Sequence, residues 1–199
     1  MISLMDAKIG LILDKLDALG LAKNTLVIFT SDHGHFFGQH GLIAKGPFHY
    51  QDMIKVPLLA RWPGKVPAGK ESGSLQSLVD FSPTLLSLAS LAVPRTMTGL
   101  DQSRVWLGEE ETLRDHIICE DRVEASMVHQ RTYVDERYRL TVYYRQKYGE
   151  LYDLQEDPGE LRNLWDELDY IRLKTDLLLR YAWAELGKEP MWMPRLWFA

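Results

Sequence analysis

Cysteine is almost missing from this chain. Among 199 residues only Cys119 occurs, which excludes an internal disulfide and any all-cysteine metal site. Basic excess is missing too. Lys and Arg total 23 against 28 Asp and Glu, a net charge of −5, and no basic block stands out, so a nucleic-acid partner is disfavoured. No apolar run approaches the roughly 20 residues that cross a bilayer, which argues against a membrane partner. Met1-Ile2-Ser3-Leu4-Met5-Asp6 has neither the basic start nor the small-residue cleavage site of a secretion signal. The compartment stays open. Internal repeats and low-complexity tracts are absent. What remains is a globular balance, 46% hydrophobic and 26% charged, long enough for one substantial core.

The order of elements is legible from periodicity. Ile2, Leu4, Met5, Ile9, Ile12, Leu13, Leu16 and Leu19 recur at helical spacing, with Gly20 as a stop. No capping residue precedes this helix, which reads as a chain that starts inside an element. Thr25 to Thr30 is a continuous β-branched and apolar run, the pattern of a strand buried on both faces of a parallel sheet. It ends in Ser31-Asp32-His33-Gly34, at the strand end where α/β folds bind ligands. Residues 34 to 53 have no period and read as a functional loop. A strand is expected over Val56 to Trp62. A helix is expected within Leu75 to Ala92, with Ser82 as cap and Pro83 at the first helical position. Strands follow at His116 to Glu120 and Leu151 to Leu154, a hairpin at Gln130 to Tyr144, and a helix from Asp166 to Leu186. The tail, with Trp192, Trp197 and Phe198, needs somewhere to pack.

Several residues could carry chemistry, and spacing alone leaves two readings of each open. Asp32 and His33 suit a divalent cation, since carboxylate oxygen favours a hard ion and imidazole also takes zinc. Equally, Asp32 could cap a turn beside a surface histidine. His35, His40 and His49 share the same loop as candidate ligands, proton donors or anion contacts, or as ordinary polar loop residues. Lys45 could neutralise a bound sulfate or phosphate, or simply be solvated. Cys119 reads as a buried structural thiol rather than a nucleophile.

The string from Asn24 through Thr30 to Ser31-Asp32-His33-Gly34 closely resembles the second metal-binding strand of the sulfatase family, in the alkaline phosphatase superfamily. The resemblance continues in Gly38-Gln39-His40-Gly41-Leu42, Lys45-Gly46, Lys55 to Gly64, Val79 to Leu86, Gly99-Leu100-Asp101 and Gly149 to Leu164. It implies an α/β fold: a sulfatase-like sheet fragment with helices over 1–110, and a small C-terminal antiparallel sheet and helix over 111–199.

The resemblance also implies roles. Asp32 would ligate the cation, usually calcium in sulfatases, and His33 the adjacent position, where many members have Asn. Lys45 would contact the sulfate ester. For His35 and His49 substrate contact is the expectation, without a matched position. The Cys-x-Pro-Ser-Arg type motif that yields formylglycine is not in this sequence, and neither are the acidic ligands of the first metal strand. The expected function is therefore sulfate ester hydrolysis, in which this chain supplies part of a metal and sulfate site and is not competent by itself. Phosphodiester or phosphonate monoester hydrolysis in the same superfamily is the alternative, and a non-catalytic truncated module a third reading. Calcium should be weakly held, and formylglycine should belong to an amino-terminal part. Self-association, or pairing with an amino-terminal half, should cover apolar surface left bare.

Overall fold

The computed structural model describes residues 1–123 and 128–188; the aromatic residues of the tail lie outside them. Helix α1 (Ile2–Ala18) forms where the three- and four-residue spacing places it, and Gly20 at φ 67 reverses the chain behind it. A 3₁₀ turn over Ala22–Asn24 leads into β1 (Val27–Thr30). The loop expected after β1 is more regular than its sequence suggests. It holds a small hairpin of β2 (Phe36–Phe37) and β3 (Ile43–Ala44), then the single-turn helix α2 (Gln51–Ile54). Strands this short carry no measurable period.

β4 (Leu58–Arg61) pairs with β1, setting Val27 opposite Arg61 and Thr30 opposite Leu58. The pairing is antiparallel, and Phe29 and its partner Leu59 are exposed, so the expected doubly buried strand of a parallel sheet is not what these residues form among the described strands. A β-branched run fits any pleated surface, and the direction of its neighbour is set by the connection instead.

The next helix also begins differently. Ser77 and Asp80 form a capping box around a 3₁₀ turn, Leu78–Asp80, which runs directly into α3 (Phe81–Leu88). Ser82 is therefore not the cap, and Pro83 is the third helical residue, where its missing N–H costs nothing. Asp80, almost wholly buried, accepts hydrogen bonds from the amides of Ser77 (2.9 Å) and Leu100 (2.8 Å), and pairs with Arg114. Gly99 lies so close that a Cβ would sit 2.1 Å from the Val79 carbonyl oxygen. Helix α4 (Ser103–Trp106) then leads to the second sheet.

That sheet is an antiparallel meander in the order β5 (Ile117–Val123), β6 (Val128–Val134), β7 (Tyr138–Tyr143), β8 (Gly149–Asp153). Helix α5 (Ile171–Gly187) starts five residues later than expected, behind a 3₁₀ turn at Leu168–Tyr170, and lies across it. Tyr133, Leu140, Leu151, Leu164, Leu177 and Ala184 form the core between them. The amino-terminal elements have no comparable cluster among the described residues, and α1 has no buried residue.

Candidate active site

The strand β1 ends at Thr30 and the chain turns at once. Ser31 Oγ donates to the His33 carbonyl (2.9 Å), while the His33 amide donates to Asp32 Oδ1 (3.0 Å). One carboxylate oxygen is thus spent on the turn. The other, Oδ2, faces His33 Nε2 at 3.6 Å, on a side chain 84% exposed. The His33 amide, and then the imidazole beside it, hold the Asp32 carboxyl below the usual carboxylate range. His33 Nδ1 lies 2.7 Å from the Gly34 carbonyl oxygen, which places a proton on Nδ1 and leaves Nε2 as the ring atom that faces Asp32. A carboxylate oxygen and an imidazole Nε2 side by side are a donor set that fits a divalent cation, which would take the place of any proton on Nε2. Asp32 thus caps its turn with one oxygen and leaves the other exposed. Among the described residues no group of three or more His, Cys, Asp or Glu gathers, so the pair is at most one side of a metal shell.

Gly34 fixes where that pair sits. Its amide donates to the Met53 carbonyl (2.7 Å) and the next amide, of His35, to the Asp52 carbonyl (3.0 Å). A Cβ at Gly34 would lie 1.8 Å from the Asp52 oxygen, so only glycine permits this approach. The hairpin then alternates. Phe36 is buried beside Tyr50, while Phe37 is exposed, with the His35 ring 4.6 Å from its own. Lys45 follows directly on Ala44, whose left-handed backbone (φ 70) ends the second strand of the hairpin. Lys45 is exposed and has no ion pair among the described residues. His40, at φ 54, stacks on Tyr50 at 3.7 Å with Nε2 3.8 Å from Asp52 Oδ2.

His49 points elsewhere. It is 7% exposed, and its Nδ1 lies 2.8 Å from Thr132 Oγ1, which in turn meets Thr141 Oγ1 at 2.7 Å. Burial, reinforced by the nearby Arg139 charge, lowers its pKa to about 4, so the ring is neutral. Asp32, His33 and His35 thus lie just before the first strand of the hairpin and Lys45 just after the second, while His49 turns into the second sheet. Cys119 is partly buried on β5, and that burial pushes its thiol up to about 11, which disfavours a nucleophilic thiolate.

The residues that sequence reasoning missed lie beneath this loop. Arg139 has no exposure, yet pairs with Glu150 (2.9 Å) and Glu160 and donates to Thr141 Oγ1 (2.8 Å). Its guanidinium stacks on Tyr152 (4.6 Å) and Tyr50 (5.0 Å). Glu160 also accepts the Gln51 amide (2.6 Å), so one ionic knot joins α2 to β7, β8 and the turn after them. The available signal was an Arg and a Glu of opposite sign on adjacent strands of a hairpin. Its link to residues 49–51 was not in the pattern.

A family model described as N-sulphoglucosamine sulphohydrolase, C-terminal, matches residues 38–184. The N-acetylglucosamine-6-O-sulfatase of Bacteroides thetaiotaomicron is 30% identical, over 87% of this chain and 32% of that protein. The arylsulfatase of Clostridium perfringens is 31% identical, over 93% of this chain and 38% of its own length. The chain therefore spans about a third of these curated relatives. A solved structure of a protein in complex with its substrate D-glucosamine-2-N,6-O-disulfate superposes with a TM-score of 0.85 at 27% identity, covering 93% of this chain and 39% of that one. The phosphonate monoester hydrolase of Agrobacterium radiobacter superposes at 0.83 with 28% identity, over 95% and 40%. On the family match and the shared fold, the chain belongs to the sulfatase family and corresponds to its carboxyl-terminal portion.

Proposed function

We propose that this chain supplies one side of a sulfate ester hydrolase site, with Asp32 and His33 as cation ligands and Lys45 as the sulfate contact. The observation that carries this reading is the outward pairing of Asp32 Oδ2 with His33 Nε2, on a turn that Gly34 clamps to α2. A bound divalent cation, calcium on this reading, would polarise the sulfate oxygens. Asp32 stays ionised to hold it, because its own turn favours the carboxylate. Lys45 adds a positive charge where negative charge grows on those oxygens, and does so from an exposed position without a competing partner among the described residues. His35, which precedes the first strand of the hairpin as Lys45 follows the second, would touch the rest of the ester. The nucleophile is not among these residues, so the site needs a second contribution. Because relatives act on glucosamine sulfates, amino-sugar sulfates are the first esters to assay.

Calorimetric titration of the chain with calcium chloride tests the ligand assignment. Two protein ligands should give weak binding, with a dissociation constant on the order of 10⁻³ M, abolished by Asp32→Ala. Tight stoichiometric binding, or binding indifferent to Asp32, overturns it. The reaction class is tested in a protein uniting this chain with an amino-terminal sulfatase portion. Sulfate release from 4-nitrophenyl sulfate is expected, with a raised KM in Lys45→Ala. The second reading, phosphonate monoester hydrolysis, is favoured by the imidazole ligand and by the close superposition on such an enzyme. Turnover of a phosphonate monoester with no turnover of the sulfate would select it.

A further inference from the structure

Glu160 combines two features that disfavour a glutamate where it stands. Its backbone is left-handed (φ 51), a conformation that suits glycine or asparagine, and its side chain is buried. A strained residue of this kind persists only where its partners over-determine it. One carboxylate oxygen accepts from Arg139 Nε and the other from the Gln51 amide, at 2.6 Å. The second bond is the one that reaches towards the candidate site. Gln51 opens α2, and a helix of four residues does not stand by itself. Glu160 therefore fixes α2 against the second sheet.

What α2 holds in its turn is one peptide group. The His35 amide donates to the Asp52 carbonyl at 3.0 Å, and the carbonyl of that same peptide unit belongs to Gly34. In a planar trans peptide the N–H and C=O point in opposite directions. The Gly34 oxygen is thus aimed away from α2, and His33 Nδ1 meets it at 2.7 Å. The Gly34 amide, bonded to the Met53 carbonyl at 2.7 Å, fixes the preceding peptide as well. A second line runs through Tyr50. Its ring lies 5.0 Å from the Arg139 guanidinium and 3.7 Å from the ring of His40. His40 belongs to the turn Gln39–Gly41 between β2 and β3, and β3 leads into Lys45.

We infer that Glu160, oriented by Arg139, is a positioning residue: through α2 it sets the direction of the His33 ring, and so the geometry of the proposed cation pair. Metal–ligand distances tolerate only about 0.2 Å. An imidazole whose other nitrogen is held by a fixed carbonyl meets that limit better than one free to turn. The inference rests on the cation reading for what the ring would bind, whereas the link from Glu160 to His33 is made of bonds present without a metal.

The test uses the whole chain and reads two quantities, amide hydrogen exchange without metal and calcium affinity by titration with calcium chloride. Gln51→Pro removes the donor alone, since proline is accepted at the first helical position and Tyr50 before it is already extended (φ −64, ψ 154). Exchange at the Gly34 and His35 amides should quicken about tenfold while the amides of β7 keep their rates. The calcium dissociation constant should rise about tenfold with it. Glu160→Ala should act likewise at both amides. The double variant should be no worse there than Glu160→Ala, because both changes break one bond. Leu177→Ala, in the core under α5, should lower the melting temperature and leave both local readouts as they are. Unchanged exchange at Gly34 and His35 in Gln51→Pro overturns the inference. An additive effect in the double variant overturns it, as does an equal response to Leu177→Ala. Quickened exchange with an unaltered calcium constant overturns it too. Quickened exchange in a chain that binds no calcium refutes the cation assignment alone, and upholds Glu160 as the residue that positions His33.

Discussion

His49 carries a charge change that folding must respect. Its folded pKa of about 4 lies below the unfolded value of 6.5, so the unfolded chain takes up a proton first as pH falls. The stabilisation is therefore complete above pH 6.5 and drains away as pH drops towards 4, by an amount on the order of 3 kcal/mol. Urea unfolding at pH 7 and pH 4.5 should show that loss. In His49→Gln, which keeps a partner for Thr132, the slope between the two should flatten. An equal slope in the variant would mean that another group is responsible. Asp32 should behave oppositely. Its side chain stands in solvent, so Asp32→Asn should leave stability nearly unchanged while removing the heat of calcium binding. The difference between these two residues also marks what a sequence can disclose. Asp32, His33 and Gly34 were legible because their turn is local. The surroundings of His49 were not, since they are settled by Thr132, 83 positions away.

Between the elements, the knot around Arg139 is the main tie. Arg139→Met leaves Glu150 and Glu160 ionised in a dry site, which should cost about 3–5 kcal/mol in chemical denaturation. Changing both glutamates to Gln in that background should recover part of it, because the uncompensated charge is then gone. No recovery would show that packing of the guanidinium against Tyr50 and Tyr152 is what matters. Strand and helix positions in the second half followed from alternation and helical spacing, to within a residue or two for β7 and β8. The β2–β3 hairpin escaped because two residues per strand leave nothing to alternate. The antiparallel β1–β4 pairing escaped because strand direction depends on the connection, not on residue type.

The whole molecule is unequal in its two parts. Every residue of the described core cluster belongs to the β5–β8 sheet, the segment after it or α5, while the amino-terminal ribbon and helix expose apolar faces. Native-state hydrogen exchange of the chain alone should therefore find the amides of β7 and β8 opening only with global unfolding, and those of α1 exchanging by local fraying. Protection of α1 equal to that of β7 would sink this picture. A different consequence follows from the knot itself, seen as a matter of inheritance. His49, Tyr50 and Gln51 cover the Arg139–Glu150–Glu160 cluster, so a gene rearrangement that breaks between residues 51 and 139 uncovers the charges in one product and leaves the Gln51 amide without its acceptor in the other. The stretch from His49 to Glu160 therefore has to travel through recombination as one cassette.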